Sequence, residues 1–353
     1  MHLSKRVSVL IVNFNGKRFI EKLFSSLLEQ TFKDYEIVFV DNASTDNSME
    51  HLNSLLKMKT FEELDVKTIQ ANKNLGYCRG NNTGMTCAKG DYIVLLNNDA
   101  YVSPNWLEEL VKVMDNFSNV GACQSKIVLT EANKNHLGLL LDYYGQSRVL
   151  VDLKNASLSD YALIDYSFYP SGASVIIRRE AINECGFFDE RLFFGDYDLS
   201  WRIRLHGYSM ATSLKSVCFH LKGFTSGYAT KSLIGVLTAD YYTYKERTRV
   251  LIKNYSLCNL VKRVPLAITL MTFDSVFKSL LHKKPFVKEL INSICWNIAN
   301  FGDTIKQRCK VQQSRVVTEG AIEEFMDKCP FFIEEIKNRI RDSQRIQELS
   351  PKN

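Results

Sequence analysis

The sequence GDYIVLLNND, residues 90–99, decides the fold of this chain. Its run of consecutive apolar residues from Tyr92 to Leu96 is typical of a strand that is buried on both faces. The strand stops at two amides and one carboxylate, Asn97, Asn98 and Asp99. Ligands of open parallel sheets bind at the carboxyl ends of the strands, and a carboxylate flanked by amides suits a hard divalent cation that holds phosphate oxygens. A strand followed by an ordinary polar turn is the alternative interpretation of this stretch taken alone.

Strands and helices alternate around this stretch from residue 7 to residue 117. Alternation of this kind indicates parallel strands joined by right-handed crossover helices, and therefore an α/β fold. The predicted strands are Val7–Val12, Tyr35–Val40, Val66–Gln70 and Tyr92–Leu96, and the predicted helices are Lys17–Gln30, a helix capped by Ser44 or Thr45 that ends near Leu56, Tyr77–Ala88 and Asn105–Phe117. Amides or carboxylates follow every strand, and because the carboxyl ends of these strands share one edge of the sheet, we expect the polar side chains to converge there.

The residues after the first strand exclude two common phosphate-binding arrangements. That turn reads NFNG at residues 13–16, whereas a Rossmann dinucleotide site requires GxGxxG, and the chain contains no Walker P-loop. The glycine-rich loop used by nucleotidyltransferases is missing from the sequence as well.

The composition is that of an ordinary globular protein, with 353 residues, 45% hydrophobic and 24% charged. This length suffices for one large domain and an appendage. The net charge of +6 is too mild to indicate a nucleic-acid partner. The 9 cysteines are scattered without a CxxC pair, which argues against a zinc site or a disulfide framework and fits a reducing compartment. We expect no signal peptide, and no run reaches the roughly 18 apolar residues of a spanning helix.

Four segments in combination resemble the inverting glycosyltransferases of family 2, which have the GT-A fold, and within them the rhamnosyltransferase-like members. The segments are VLIVNFN at residues 9–15, VDNASTD at 40–46, NLG at 74–76 and LNND at 96–99. The resemblance covers roughly residues 7–250, and the spaced combination is specific although each piece alone is weak. It implies a GT-A domain at residues 1–250, with a mostly parallel sheet flanked by helices, and a helical, basic C-terminal extension at residues 251–353.

The resemblance also implies a donor site at the strand ends. Asp41 would contact the base or ribose of a sugar nucleotide, and Asn97 and Asp99 stand where the family has its DxD-type metal motif. Family members often carry a histidine at the position of His220 as a further ligand of Mg²⁺ or Mn²⁺, although a lone histidine is usually structural. The predicted metal ligands are Asp99 and His220. The residues predicted to bind the nucleotide sugar are Asn13, Asn15, Asp41, Asn74, Gly76, Asn97, Asp99 and Arg247.

Asp196 is the candidate general base. It lies beside aromatic residues and just before a helix predicted at Leu199–Leu205, where partial desolvation keeps a carboxylate basic. It matches the Asp of the family's Glu-Asp segment, with Gly195 in the place of the Glu. The residues that the resemblance assigns to the acceptor are Gly172, Asp198, Trp201 and Arg202. For Asp198, the alternative is a role as the N-cap of that helix.

The C-terminal part is strongly basic. Lys/Arg exceed Asp/Glu by 10 between Lys245 and Arg315. We expect the apolar stretch Val264–Leu281 to be too short and too interrupted to span a bilayer, and apolar stripes with cations suit peripheral contact with anionic lipid. The alternatives are a helical subdomain packed on the sheet and, for Lys245 and Arg247, a solvated helix face. The tail, residues 319–353, is predicted to form amphipathic helices whose apolar positions are Ile322, Phe325, Met326, Phe332, Ile333, Ile336 and Ile340.

The sequence thus predicts a metal-assisted inverting glycosyltransferase that acts at the cytoplasmic face of the cell membrane. The resemblance favours dTDP-rhamnose as donor, leaves UDP and GDP donors open, and implies a glycan or lipid-linked acceptor. A non-catalytic relative that binds sugar nucleotides or glycans is the alternative, and the oligomeric state stays open.

Overall fold

The computed structural model describes residues 5–130, 134–151, 162–221, 233–283 and 285–333. The strands described are β1 Val7–Asn13, β2 Tyr35–Asp41, β3 Val66–Gln70, β4 Tyr92–Leu96, β5 Ala100–Val102, β6 Val120–Leu129, β7 Lys134–His136, β8 Leu139–Leu141, β9 Ser147–Val149, β10 Ala162–Ile164, β11 Ser174–Arg178 and β12 Ser209–His220. The helices described are α1 Lys17–Leu28, α2 Ser48–Leu56, α3 Gly76–Cys87, α4 Trp106–Asn116, α5 Arg179–Cys185, α6 Asp196–Leu205, α7 Leu233–Asn254, α8 Leu257–His282, α9 Phe286–Ala299, α10 Phe301–Ser314 and α11 Glu319–Glu323.

The predicted parallel half of the sheet is confirmed. Strands β4, β1, β2 and β3 lie side by side and run parallel. Every residue of β4 is buried, as expected for a strand covered on both faces. Along β1, Val9 and Ile11 pack into the core that contains α1 and α4, while Leu10 packs into the core on the opposite face.

The second half of the sheet is mixed rather than parallel. Strand β11 runs antiparallel between β4 and β6, β12 runs parallel to β6, and β5 and β10 pair antiparallel with β12. The α/β architecture is therefore as predicted, but the sheet as a whole is a mixed one. Strands β8 and β9 form a separate hairpin.

Two predicted helix caps are wrong. Helix α2 begins after Asn47, which is in the left-handed conformation, because the Ser44 hydroxyl donates instead to Asp41. Helix α6 begins after Gly195, which places Asp198 in the first turn rather than at the N-cap.

The C-terminal helices pack on the sheet domain through α7, which contacts α6, α9 and α10. Helix α7 runs through residue 250, so the predicted boundary falls inside a helix. Lys245 and Arg247 are buried, and the solvated-face interpretation of both is therefore wrong. Of the tail, only the part up to residue 333 is described, and Ile336 and Ile340 lie outside it.

One helix among the described residues, Leu257–Leu281, is long and apolar enough to cross a membrane by length and composition alone. Our expectation that this region is too short is wrong, because the helix begins before the apolar stretch chosen from the sequence. Length and composition are weak grounds for a membrane span.

Candidate active site

The two predicted metal ligands, Asp99 and His220, lie side by side. Strand β5 pairs with β12 in a register that sets Ala100 opposite His220. The Nε2 atom of His220 lies 3.0 Å from Oδ1 of Asp99 and 3.2 Å from Nδ2 of Asn97. This short ladder therefore brings together side chains that are far apart in the sequence.

The groups at this point suit a hard divalent cation. One imidazole nitrogen can donate to the carboxylate or accept from the amide, but it cannot do both. Asp99, His220 and Asn97 offer a carboxylate, an imidazole nitrogen and an amide oxygen, which are ligand types that Mg²⁺ or Mn²⁺ accepts. The described residues contain no group of three or more His, Cys, Asp or Glu side chains placed to hold a metal ion, so oxygens of a bound ligand would have to complete the coordination.

Asp41 is fully buried and bonds to its own turn. Its Oδ1 accepts hydrogen bonds from the amide of Asn13 (3.1 Å) and the hydroxyl of Ser44 (2.6 Å), and its Oδ2 accepts from the backbone N–H of Ser44 (3.1 Å). Asn13 is buried too and accepts a bond of 2.8 Å from the amide of Asn98. Asp41 and Asn13 thus tie together the ends of β1, β2 and β4, and their contact with a nucleotide stays a prediction.

The turns after β1, β2 and β3 are joined by amide side chains. Exposed Asn15 accepts from the backbone N–H of Thr45 through Oδ1 (2.8 Å). Buried Asn42 donates from Nδ2 to Oδ1 of Asn74 (3.0 Å) and to the carbonyl of Gly76 (3.2 Å). Asn42 was not among the predicted binding residues, although the DN pair in VDNASTD is a signal that points to it.

Asp196, the predicted base, lies at the start of α6 with both carboxylate oxygens held. The hydroxyl of Tyr77 donates to its Oδ1 (2.9 Å), and the backbone N–H of Gly172 donates to its Oδ2 (3.1 Å). Burial raises the pKa of Asp196 to about 6, against the opposing effect of these two hydrogen bonds. The residue as a whole is half-buried rather than fully buried. A carboxylate with this pKa is ionised at neutral pH and basic enough to take a proton.

Gly172, which was predicted to bind the acceptor, lies against Asp196, and its contact with an acceptor stays a prediction. A Cβ atom at this position would come within 1.9 Å of the Tyr77 hydroxyl and 2.6 Å of Oδ1 of Asp196. Glycine is therefore required for the close approach of Gly172 to Tyr77 and Asp196. A Cβ at Gly195 would lie 2.7 Å from Sγ of Cys78, so the space beside that residue is already filled.

The metal end and the base end of the site belong to one continuous set of contacts. The backbone N–H of Asn97 donates to the carbonyl of Ala173 (3.1 Å), and Ala173 follows Gly172, which bonds to Asp196. Tyr77, on the other side of Asp196, follows Gly76, which bonds to the turn after β2. Asp99 and Asp196 are thus linked through a few contacts, and their convergence around a bound diphosphate stays a prediction.

Helix α7 supplies a residue that the sequence did not reveal. Glu246 is buried, and its carboxylate accepts from the backbone N–H groups of Phe193 and Phe194, the latter at 2.9 Å. Burial raises the pKa of Glu246 to about 7, while these two hydrogen bonds lower it. Phe194 lies two residues before Asp196, so Glu246 holds the loop that carries the base. The only signal in the sequence was an acidic residue inside an otherwise basic segment.

The other residues predicted to bind the acceptor are buried in the core. Trp201 is fully buried. Asp198 is also fully buried, and it forms ion pairs with Arg202 (3.0 Å) and Lys253 (2.8 Å). Burial acts to raise the pKa of Asp198, but Lys253 and Arg202 lower it further than burial raises it. These contacts give Asp198, Trp201 and Arg202 structural tasks, and we do not carry them into an acceptor site.

Arg247, which was predicted to bind the donor, is held by contacts inside the protein. It is buried, and its Nε donates to the carbonyl of Tyr144. Burial lowers its pKa, and Asp142 opposes that effect. These contacts join α7 to the segment that precedes β9, and a contact with the donor stays a prediction.

The protein also has a cavity of about 810 Å³. It is bordered by α3, α5 and α10, with Arg79, Glu184, Arg202 and Asp303 among the residues that line it. It contains neither Asp99 nor Asp196, so we do not assign it to the donor.

Comparison with known protein families gives a match over residues 8–185 to the model described as glycosyl transferase family 2. A curated relative, glycosyltransferase GlyG of Streptococcus pneumoniae serotype 4, is 22% identical over 200 residues, which are 54% of this chain and 62% of that protein. The chain spans between 35% and 62% of the length of the first curated relatives it matches.

Solved structures share the fold of the chain. S. aureus TarS 1-349 in complex with UDP-GlcNAc matches with a TM-score of 0.54 and 16% identity, over 88% of this chain and 84% of that one. Mannosyltransferase PcManGT from Pyrobaculum calidifontis, in complex with GDP-Man and Mn²⁺, matches with a TM-score of 0.52 and 15% identity, over 89% and 86% of the two chains. At this identity the likeness shows the GT-A fold and no more.

Proposed function

The chain belongs to glycosyl transferase family 2, and from that premise we propose that it transfers a sugar, with inversion, from a nucleotide-diphosphate sugar to a hydroxyl group of a glycan or lipid-linked acceptor. The observation that carries the proposal is the series of hydrogen bonds that links the Asp99–His220 pair to Asn97, Asn97 to Ala173, and the neighbouring Gly172 to Asp196. These contacts support an arrangement in which candidate metal ligands and a candidate base share one site, as a single displacement requires.

The donor would lie along the turns after β1, β2 and β3, with its diphosphate beside Asp99. Asn15, Asn74 and Gly76 are the predicted binding residues that these turns present. Asp99 and His220, with the oxygen of Asn97, are the residues that would hold Mg²⁺ or Mn²⁺. When bound, such an ion offsets the negative charge of the diphosphate leaving group.

Asp196 would act as the general base. Tyr77 and Gly172 each occupy one lone pair of its carboxylate, which leaves a further lone pair on each oxygen for the acceptor proton. The acceptor oxygen loses this proton to Asp196 and forms a bond to the anomeric carbon. The bond from that carbon to the diphosphate oxygen breaks on the opposite face, and the electron pair leaves with the nucleoside diphosphate. No covalent enzyme intermediate is needed for this balance.

The identity of the donor sugar is a separate question within this proposal. The rhamnosyltransferase-like segments favour dTDP-rhamnose, whereas the solved structures named above contain UDP-GlcNAc and GDP-Man. A thermal-shift panel of dTDP-, UDP- and GDP-sugars, each with and without Mn²⁺, tests this choice directly. A shift by the dTDP-sugar alone supports the rhamnose donor, and a shift by a UDP- or GDP-sugar alone contradicts it.

We propose two units, a GT-A unit that ends near residue 250 and a helical unit that follows it, with α7 shared between them. The proposed location is the cytoplasmic face of the membrane, where a lipid-linked acceptor would be accessible. The exposed cations Lys262, Lys283 and Lys288 support this location.

The test of the catalytic proposal is Asp196→Asn. We expect transfer, or donor hydrolysis with water as acceptor, to fall by about 10²- to 10⁴-fold, since that is the usual contribution of a general base. The thermal shift produced by the donor should persist. An unchanged rate with donor still bound would contradict Asp196 as the base.

The stability of this variant is its control for folding. Because the pKa of Asp196 is raised from 3.8 to about 6, the native state binds more protons than the unfolded state between these values, and its stability falls as pH rises through that window. Asp196→Asn removes the buried charge and should raise the free energy of unfolding at pH 7 by roughly 1 kcal/mol, less than the full pKa shift implies because the residue is only half-buried. Urea unfolding at pH 7 measures this change in stability.

If neither the wild-type chain nor any variant hydrolyses a donor with Mg²⁺ or Mn²⁺, the non-catalytic alternative is favoured.

A further inference from the structure

Helix α8 leaves one face uncovered along its whole length. The exposed side chains described on this face are almost all uncharged, and Lys262 is their single charge. Phe273 and Leu280 are 63% and 75% exposed. The large apolar side chains exposed on α8 are Leu257, Val261, Leu266, Phe273, Val276, Phe277, Leu280 and Leu281. Contiguous exposed apolar surface of this extent marks an interaction site rather than ordinary protein surface.

The opposite face of α8 is fixed to the protein by packing and by polar contacts. Met271 and Ser275 are fully buried. Lys278 forms ion pairs with Asp240 of α7 (2.7 Å) and with Asp274 (2.9 Å). The hydroxyl of Tyr244 donates to Asp274 (2.7 Å). A spanning orientation would place these charged groups, and the helix α7 to which they bind, in hydrocarbon, where such groups are costly.

The charges exposed beside this face have one sign. On the described residues of α8, the turn that follows it and α9, the exposed charged side chains are Lys262, Lys283 and Lys288. Two copies of such a face would bring like charges together, whereas an anionic lipid surface complements them. An apolar helix face with cations at its margins is the arrangement by which helices lie in the plane of a membrane interface.

We propose that α8 docks the protein on an anionic lipid bilayer, lying in the plane of the interface with Phe273 and Leu280 inserted among the acyl chains. This deepens the membrane location given under the proposed function, and it does not depend on which sugar is transferred. It assigns the contact to one helix face and gives it an orientation. Because α8 is fixed to α7, the bilayer would lie beside the helix whose Glu246 holds the loop before Asp196.

The experiment is flotation of the full chain with vesicles of phosphatidylcholine alone and with vesicles that also contain phosphatidylglycerol, in the absence of any donor sugar. We expect binding to the anionic vesicles only. The double variant Phe273→Glu/Leu280→Glu should lower the partition coefficient by at least about tenfold. Met58→Glu/Val316→Glu is the matched control, because it alters two exposed apolar residues outside α8, and it should bind as the wild type does.

The proposal would be overturned if the wild-type chain did not float with anionic vesicles, or if the two double variants lost binding equally. It would also be overturned if alkaline carbonate failed to release the bound protein, because that result would indicate a spanning helix. Sedimentation tests a further outcome: if the wild type does not bind vesicles and forms a dimer that Phe273→Glu/Leu280→Glu dissociates, the face binds a second copy of the chain.

Donor hydrolysis in vesicle-free solution should be equal in the wild type and this variant. Its absence from both would refute the proposed function while leaving the lipid contact intact.

Discussion

Asp99 and His220 are positioned by the sheet itself, whereas Asp196 is positioned by what packs around it. The first pair lies at the ends of strands, in the register of the β5–β12 ladder. The base is held by Tyr77 from α3, by the backbone of Gly172 and, through the loop before it, by Glu246 from α7. The position of the Asp99–His220 pair therefore follows from the order of the strands. The position of Asp196 depends instead on groups from several distant segments.

The supports of the base loop extend into a network of charges. Asp189, in the loop before α6, binds Arg249 (2.9 Å) and Lys253 (2.8 Å) of α7, and Arg249 also binds Asp303 of α10 (2.7 Å). Burial acts to raise the pKa of Asp189, but Lys253 and Arg249 together lower it far below its usual value. The C-terminal helices therefore support the loop that carries the proposed base.

The largest effect is expected from a substitution in the Asp99–His220 pair. Asp99→Asn removes the one carboxylate beside His220 and should lower the rate of donor hydrolysis by about 10²-fold at limiting Mn²⁺, since the ion offsets the leaving-group charge. Because the sheet keeps its register, the thermal unfolding midpoint should change little. Titration of the rate with Mn²⁺ measures the effect, and an identical Mn²⁺ dependence in wild type and variant would remove Asp99 as a ligand.

A smaller effect is expected when the base loop loses its support from α7. Glu246→Ala leaves the backbone N–H groups of Phe193 and Phe194 without their acceptor and should lower kcat by about tenfold, with a loss of roughly 1–3 kcal/mol in the free energy of unfolding. KM for the donor should stay the same, since the donor end is held by the sheet. Glu246→Gln keeps one carbonyl oxygen and should recover part of kcat. Thr243→Ala, at an exposed position on the same helix, is the control.

Equal losses of kcat and stability in Glu246→Ala and Thr243→Ala would show that α7 contributes no particular support to the loop. A rise in KM without a fall in kcat would place Glu246 with the donor instead of the base.

The smallest effect is a shift in the pH profile. With Asp196 as base, the rate should rise with pH, reach half its plateau near pH 6 and stay constant above pH 7. Tyr77→Phe removes a hydrogen bond that favours the ionised carboxylate, so the pKa of Asp196 rises and the profile should move upward by about one pH unit. A profile that does not move would mean that Tyr77 does not act through Asp196.

Much of the fold could be predicted because short sequence patterns indicate the strands and helices. The apolar runs of β1, β2 and β4 correspond to strands that are buried on both faces. The bounds of α1 and α4 were predicted to within a few residues. The antiparallel strands β5, β7 and β10 were not predicted, because each has only three residues and its pairing is set by distant partners. Ser44 was mistaken for a helix cap because a cap and a turn that bonds to Asp41 use the same side-chain chemistry.

The sequence by itself determined which polar residues meet at one edge of the sheet. Asn13 and Asp41 end the parallel strands β1 and β2, and Asn74 and Asp99 lie in the turns after β3 and β4. The carboxyl ends of parallel strands share that edge. Only the tertiary structure decided the base end, because Tyr77, Gly172 and Glu246 reach Asp196 from segments that no spacing relates to it. The tertiary structure also decided that the charged side chains of Lys245–Arg249 and Asp198 are buried, which the linear sequence does not indicate. Their partners, Asp189 and Lys253 among them, lie on other elements. An ion pair between residues that are distant in the sequence produces no periodic pattern from which it could be predicted.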